Sequence, residues 1–301
     1  MDYKLLKEAH PNLNIKFNHA LSDYSYTKTG GEADVIAFPK SKDEVKQIID
    51  WAKEFDAPLT ILGNLSNLIV KDGGIRGIVM ILTDMNAISV DGHYIYAESG
   101  AGIIEVSREA YRHSLTGLEF ACGIPGSVGG AVFMNAGAYE GEITDINVKI
   151  EAINREGQFL TYTNEDAEFA YRHSIFQEND NIILGVSFEL QPGDQVAIKE
   201  KMDHLTELRE SKQPLEYPSC GSVFKRPVGY YTGKLIQDAG LQGHRIGGAE
   251  ISRKHAGFII NVGGATATDY VEMIEYIQET IWNLNSVRLE TEVRIIGREA
   301  E

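Results

Sequence analysis

The sequence predicts an α+β protein of about two domains. Three observations carry that expectation: a length of 301 residues, a β-α-β pattern over 34–62, and alternation of apolar with polar residues from Ile146 onward. At roughly 150 residues per domain, each domain is large enough for its own core. An apolar fraction of 43% with 24% charged residues is ordinary for a globular chain.

The elements follow in order. Residues 34–38 read as a strand, and Ser41 as the N-cap of a helix carrying Val45, Ile48, Ile49, Ala52 and Phe55 on one face. Pro58 is expected to end that helix, and Leu59–Leu62 is a second short strand running into Gly63-Asn64-Leu65-Ser66-Asn67. Strands are expected at 75–82 and 94–98, with a helix over 102–113. Antiparallel strands follow at 146–153, 159–162 and 182–190. Gln191-Pro192-Gly193-Asp194 is a turn signal, and a charged helix over 195–211 follows it. The domain division is placed there. The last hundred residues predict strands at 258–261 and 291–296 and a helix at 268–284 with Val271, Ile274, Ile277 and Ile281 on one face.

Charge narrows the partners. With 28 Lys+Arg against 44 Asp+Glu the formal net charge is −16, which argues against nucleic acid or an anionic membrane as the main partner. The acidity is uneven: residues 1–194 carry −14 and 195–301 carry −2, while 212–254 is +4. A small anionic ligand is therefore compatible with the carboxyl-terminal part. Cys122 and Cys220 form no CxxC pair, which supports neither zinc nor a disulfide framework. No apolar run has transmembrane or signal-peptide character, so a cytoplasmic protein is expected.

Seven glycines fall within 117–141, five of them in the run Gly123-Ile-Pro-Gly-Ser-Val-Gly-Gly-Ala131 and on to Asn135-Ala-Gly137. Absent side chains let backbone N–H groups approach a ligand, and a helix starting near Ser127 would offer its amino end to a diphosphate. A glycine-rich structural turn is the alternative. Gly100-Ala-Gly102 fails as a GxGxxG because its last position is Glu105, and Gly229 to Leu235 misses the P-loop spacing. A cofactor loop without either fingerprint points to another nucleotide-binding architecture, or to a flavin.

Six motifs in one collinear order then bring a family into view: Thr29-Gly-Gly-Glu-Ala-Asp34, Leu62-Gly-Asn-Leu-Ser-Asn67, Gly117-Leu-Glu-Phe120 leading into the glycine run, Tyr171-Arg-His-Ser174, Cys220-Gly-Ser-Val-Phe-Lys-Arg-Pro227 and Glu292-Val-Arg-Ile-Ile-Gly297. Over about 15–297 the chain resembles the UDP-N-acetylenolpyruvoylglucosamine reductase (MurB) family, in its shorter type. The resemblance implies a two-subdomain FAD-binding fold of the vanillyl-alcohol-oxidase (PCMH) type plus a C-terminal α/β substrate-binding domain. The implied division is 1–29 as an N-terminal segment, 30–194 for FAD (subdomains of about 30–85 and 86–194) and 195–301 for substrate.

It further implies non-covalent FAD, NADPH as hydride donor, and reduction of UDP-N-acetylglucosamine enolpyruvate to UDP-N-acetylmuramate for peptidoglycan, by a monomer or weak oligomer without a metal. Residue by residue, Arg172, Ser222 and Glu292 match the family's catalytic positions. Arg172 suits a carboxylate that gains charge. Ser222 matches the proton donor, although a serine beside Gly221 is commonly only a turn residue. Strand alternation would put Glu292 on one face with Arg294. Gly63, Asn64, Ser66 and Asn67 match cofactor contacts, as do Gly123, Ile124, Pro125, Gly126, Ser127, Gly129, Gly130, Ala131, Asn135 and Gly137. Leu65 replaces the small residue often found there. Lys225, Arg226, Arg245 and His255 are substrate candidates, with His255 equally readable as structural. A flavin oxidase on the same architecture and a sensor without turnover are the competing readings.

Overall fold

The computed structural model describes residues 2–300. Two compact units divide the chain: Met1–Phe17, Asp34–Asn64 and Gly77–Arg209 form one, and Asn18–Ala33, Leu65–Arg76 and Glu210–Glu301 the other. This grouping differs from a linear division at residue 194. Helix Gln195–Lys212 buries Ile198, Met202 and Leu205, and the Cys122 thiol lies 3.6 Å from the Met202 carbonyl oxygen, so residues up to 209 belong with the first unit.

The first unit is centred on an antiparallel sheet in the order Phe159–Tyr162, Asn147–Ile153, Ile182–Glu189, Tyr94–Glu98, Ile88–Asp91. The central strand is buried along nearly its whole length. Helix Ile103–Arg112 packs Ile103, Val106 and Ala110 into the same core as Val128 and Val132 of the short helix Val128–Phe133. Gln191-Pro192 is not a free turn. It pairs with Leu115–Thr116 as a two-residue antiparallel ladder, and the Asp194 carboxylate then accepts from the Ala197 N–H at 2.8 Å to start the following helix.

A second sheet runs in the order Asn14–Ala20, Glu32–Phe38, Ile75–Ile81, Leu59–Leu62. The expected β-α-β is present, but Ile75–Ile81 is inserted between its two strands and pairs parallel with Leu59–Leu62. Ser41 caps helix Lys42–Glu54 by accepting from the Glu44 N–H at 3.2 Å. That helix stops before Pro58: Asp56 turns left-handed at φ 49° and the Ala57 N–H reaches back to the Ala52 carbonyl at 2.8 Å. Phe55 therefore leaves the apolar face and stacks, half exposed, on buried Trp51.

The second unit carries an antiparallel sheet in the order Ser219–Ser222, Phe258–Asn261, Ala249–Ile251, Arg245–Ile246. Helix Ala267–Asn285 buries Tyr270, Met273, Ile274, Ile277 and Ile281 in the core of that unit. Its amino end is doubly capped. Thr266 and Asp269 form a capping box, and the Asp72 carboxylate accepts from the N–H groups of Ala267 (2.9 Å) and Thr268 (2.8 Å). Arg294–Ile296 pairs parallel with Leu68–Val70. The strand expected from 291 begins at Arg294, so Glu292 lies in the loop before it and no alternation with Arg294 applies. Among the described residues no helix is long and apolar enough to cross a membrane.

Candidate active site

In the first unit the loop after Leu59–Leu62 meets the glycine run. A Cβ on Gly63 would lie 2.5 Å from the Ser127 hydroxyl oxygen, so only glycine allows this approach. The helix amino end offers less than its sequence suggests. The N–H groups of Val128, Gly129 and Gly130 already donate to Ala101 O, Ser99 O and Ser127 Oγ. Helix-terminal anion binding is thus closed at this six-residue helix. The N–H groups of Gly126 and Ser127, just before it, have no protein acceptor among the described residues. These two adjacent donors, one on a buried residue, are left for the acceptor atoms of a ligand.

Several glycines of the run answer to protein neighbours. A Cβ on Gly129 would meet Ser99 Oγ at 2.0 Å, one on Gly137 the Glu142 Cβ at 2.6 Å, and one on Gly123 the Arg209 Cδ at 2.7 Å. The structural-turn reading therefore holds for those positions. Asn135 is buried and left-handed at φ 41°; its amide donates to Ala170 O (3.0 Å) and accepts from the Thr144 N–H (3.0 Å), which ties the run to the Tyr171–Ser174 motif. Within that motif Ser174 Oγ donates to Phe133 O (2.8 Å), and Gln177 bonds both Phe133 O (2.8 Å) and Arg172 O (3.0 Å). Arg172, left-handed at φ 56°, stacks on Tyr171 and donates to Gly137 O at 3.0 Å. The arginine is thus fixed against the glycine-rich segment.

In the second unit the Ser222 and Glu292 segments come together. Gly221 at φ 77° interrupts the register after Ser219 and leaves the Ser222 side chain exposed opposite Phe258. The next residue is held on both sides: the Val223 N–H donates to Gly257 O (3.0 Å), while the Val223 carbonyl accepts from the N–H groups of Glu292 (2.8 Å) and Val293 (3.2 Å). Asn67 joins the same cluster, its amide donating to Glu292 O at 3.3 Å and its carbonyl accepting from the Arg294 N–H at 3.2 Å. Leu65 is buried and left-handed at φ 49°, the conformation a small residue would adopt with less strain.

The substrate candidates divide. Lys225 is partly exposed, 3.7 Å from Glu290, with its backbone N–H on Glu290 O (2.9 Å). Arg226 lies over the Tyr231 ring at 3.8 Å and donates to Tyr230 O. Arg245 is paired with buried Glu250, which Arg253 approaches at 3.4 Å, so its charge is largely engaged within the protein. His255 Nδ1 accepts from the Gly257 N–H at 3.1 Å, which fixes the proton on Nε2. Burial lowers the His255 pKa, against its backbone hydrogen bond, so it stays neutral at pH 7. Buried Cys220 has its thiol pushed up to about 12 and is inert.

Residues 33–163 match the FAD binding domain, and residues 213–296 match the UDP-N-acetylenolpyruvoylglucosamine reductase C-terminal domain. The reductase so named from Latilactobacillus sakei is 59% identical over 98% of this chain and 97% of its own length. The chain belongs to the UDP-N-acetylenolpyruvoylglucosamine reductase family. The Lactiplantibacillus plantarum reductase is 58% identical over 96% of both chains, and the crystal structure of the Thermus caldophilus enzyme (MurB) superposes with a TM-score of 0.81 at 32% identity, covering 94% of this chain and 98% of that one. The reductase's first unit fits FAD on its own geometry: the unaccepted N–H groups of Gly126 and Ser127, beside the side-chain-free approach of Gly63, suit a dinucleotide diphosphate.

One buried carboxylate supports this loop and was visible in the sequence only as part of a motif. Glu119 accepts from Thr116 Oγ1 (2.5 Å) and the Gly117 N–H (3.1 Å), with Lys201 Nζ at 3.5 Å. Burial alone would raise its pKa; the Thr116 hydroxyl, the N–H groups of Glu119 and Gly117 and the Lys201 ammonium outweigh that and hold it below the ordinary carboxylate value. Ionised Glu119 therefore adds stability above the ordinary carboxylate range, and loses it as pH falls through the lower folded value. Glu119→Gln is expected to cost about 1–3 kcal/mol at neutral pH, and less in acid. Urea midpoints at pH 7 and in acid check this; an equal loss at both would mean that shape, not charge, matters.

Proposed function

We propose that the reductase converts UDP-N-acetylglucosamine enolpyruvate to UDP-N-acetylmuramate with NADPH as hydride donor, supplying a peptidoglycan precursor in the cytoplasm as a monomer or weak oligomer. Bound FAD would supply hydride transfer between NADPH and the methylene carbon of the enolpyruvyl group. Gly63, Gly126 and Ser127 would hold it in the first unit. Addition at that carbon drives charge toward the substrate carboxylate, which needs a positioned cation and a proton for the neighbouring carbon. Arg172 serves as the cation, held by Gly137 and Tyr171. Ser222 Oγ gives up the proton, with Glu292 beside it to stabilise the developing charge. The single observation supporting this is the pair of N–H bonds from Glu292 and Val293 to Val223 O, which hold the donor and glutamate segments adjacent.

The test mixes the purified holoenzyme first with NADPH and then with the enolpyruvyl UDP-sugar under anaerobic conditions. Flavin absorbance should bleach and then recover with one UDP-N-acetylmuramate formed per turnover. Recovery that needs oxygen instead of substrate would replace the reading with an oxidase.

A further inference from the structure

The two amino-terminal helices line a pocket that shares no residue with the cofactor loops. Helix Lys4–Ala9 and helix Lys42–Glu54 both belong to the first unit, and the pocket they form has a volume of about 550 Å³. Its apolar lining is Leu5, buried Trp51 and Phe55, whose ring stacks on Trp51 with centroids 4.6 Å apart. Leu5 is 43% exposed and Phe55 38%, so this apolar surface is left open. The exposed rim is acidic, carrying Glu8, Asp50 and Glu54. Asp50 has its partner one turn back, Lys46 at 2.6 Å. Glu8 and Glu54 pair with no cation among the described residues.

Local electrostatics disfavour both bare carboxylates. Glu54 is the last residue of its helix and stands one turn after Asp50, so it meets the negative end of the helix dipole and a like charge at i,i+4. Glu8 is likewise next to last in helix Lys4–Ala9. A cation from outside relieves both. The ligands of the reductase reaction do not supply one: FAD, NADPH and the UDP-sugar all carry phosphates, which these carboxylates repel. The chemistry that fits is a basic side chain next to an apolar one. The ammonium or guanidinium meets Glu8, Glu54 and the exposed Phe55 face, while the apolar neighbour covers Leu5 and Phe55. The volume is in the range of ligand pockets and holds several side chains, more than a lone ammonium fills. We propose that this pocket docks a basic peptide segment of a partner protein, in which lysine or arginine alternates with an apolar anchor. The site is independent of the reductase reading.

The probe is a fluorescein-labelled hexapeptide of alternating lysine and leucine, titrated against the full-length protein by fluorescence anisotropy at about 0.15 M salt. A glutamate–leucine hexapeptide and spermine are the comparators. The lysine–leucine peptide should bind, and neither comparator should. Glu8→Gln/Glu54→Gln should weaken it about 5- to 30-fold, the loss of two exposed ion pairs, and Phe55→Ala about 10-fold through the lost anchor. Glu272→Gln/Glu275→Gln removes the same charge from exposed positions on helix Ala267–Asn285 and should leave the affinity at the parent value. Circular dichroism and thermal melts show that each variant is folded. Equal weakening by the two glutamine pairs, spermine binding as tight as the peptide, or no peptide binding overturns the proposal. Self-association in sedimentation velocity that Glu8→Gln/Glu54→Gln abolishes also overturns it, because the occupant is then a second copy of the chain.

Discussion

Ser222→Ala is expected to slow the substrate half of the reaction by about 10²- to 10⁴-fold, the range lost when a positioned proton donor is removed, while flavin bleaching by NADPH stays near the parent rate. The asymmetry follows from the local fold. Ser222 ends its strand with an exposed side chain, and Val223 is fixed by bonds to Gly257 and to the Glu292 segment whatever side chain stands at 222. Alanine deletes the hydroxyl and leaves this frame. Stopped-flow absorbance separates the two halves: bleaching after NADPH, recovery after enolpyruvyl substrate. Equal slowing of both would make Ser222 a structural turn residue.

Arg172→Ala is expected to lower kcat for the same half by about 10²- to 10³-fold, the cost of removing one preorganised stabiliser of developing charge. Lysine should restore little, because its point charge cannot reproduce a planar guanidinium that stacks on Tyr171 and bonds Gly137 O. The surrounding bonds from Ser174 and Gln177 keep the loop in place, so FAD content should stay at the parent level. A variant with unchanged kcat and raised KM would show that Arg172 only binds the ground-state carboxylate.

Much of this was legible in the sequence, for identifiable reasons. Periodicity placed the strands at 147–153, 159–162 and 182–189 and the helices at 42–54 and 267–285 within a few residues, since each must bury one stripe. The Ser41 cap was readable because its chemistry is local. The misses are long-range. Nothing around Gln191-Pro192 announces Leu115–Thr116 as a partner, and nothing around residue 76 shows that its strand inserts between two others. The motifs singled out Arg172, Ser222 and Glu292 as candidates, but not that Val128 to Gly130 spend their N–H groups on Ala101, Ser99 and Ser127.

The discontinuity of the second unit also bears on how the enzyme is made. Thr27 and Asn261 are 234 positions apart, Asn67 and Glu292 225, and Asp72 and Thr268 196, yet each pair is hydrogen-bonded. Closing a loop ten times longer costs about 2 kcal/mol more in chain entropy, and no gain offsets it until both ends exist. During synthesis the early segments 18–33 and 65–76 must wait for the last stretch of chain to leave the ribosome. The frame holding the Ser222 segment to the Glu292 segment is consequently the final part to assemble, so a nascent or prematurely ended chain lacks it.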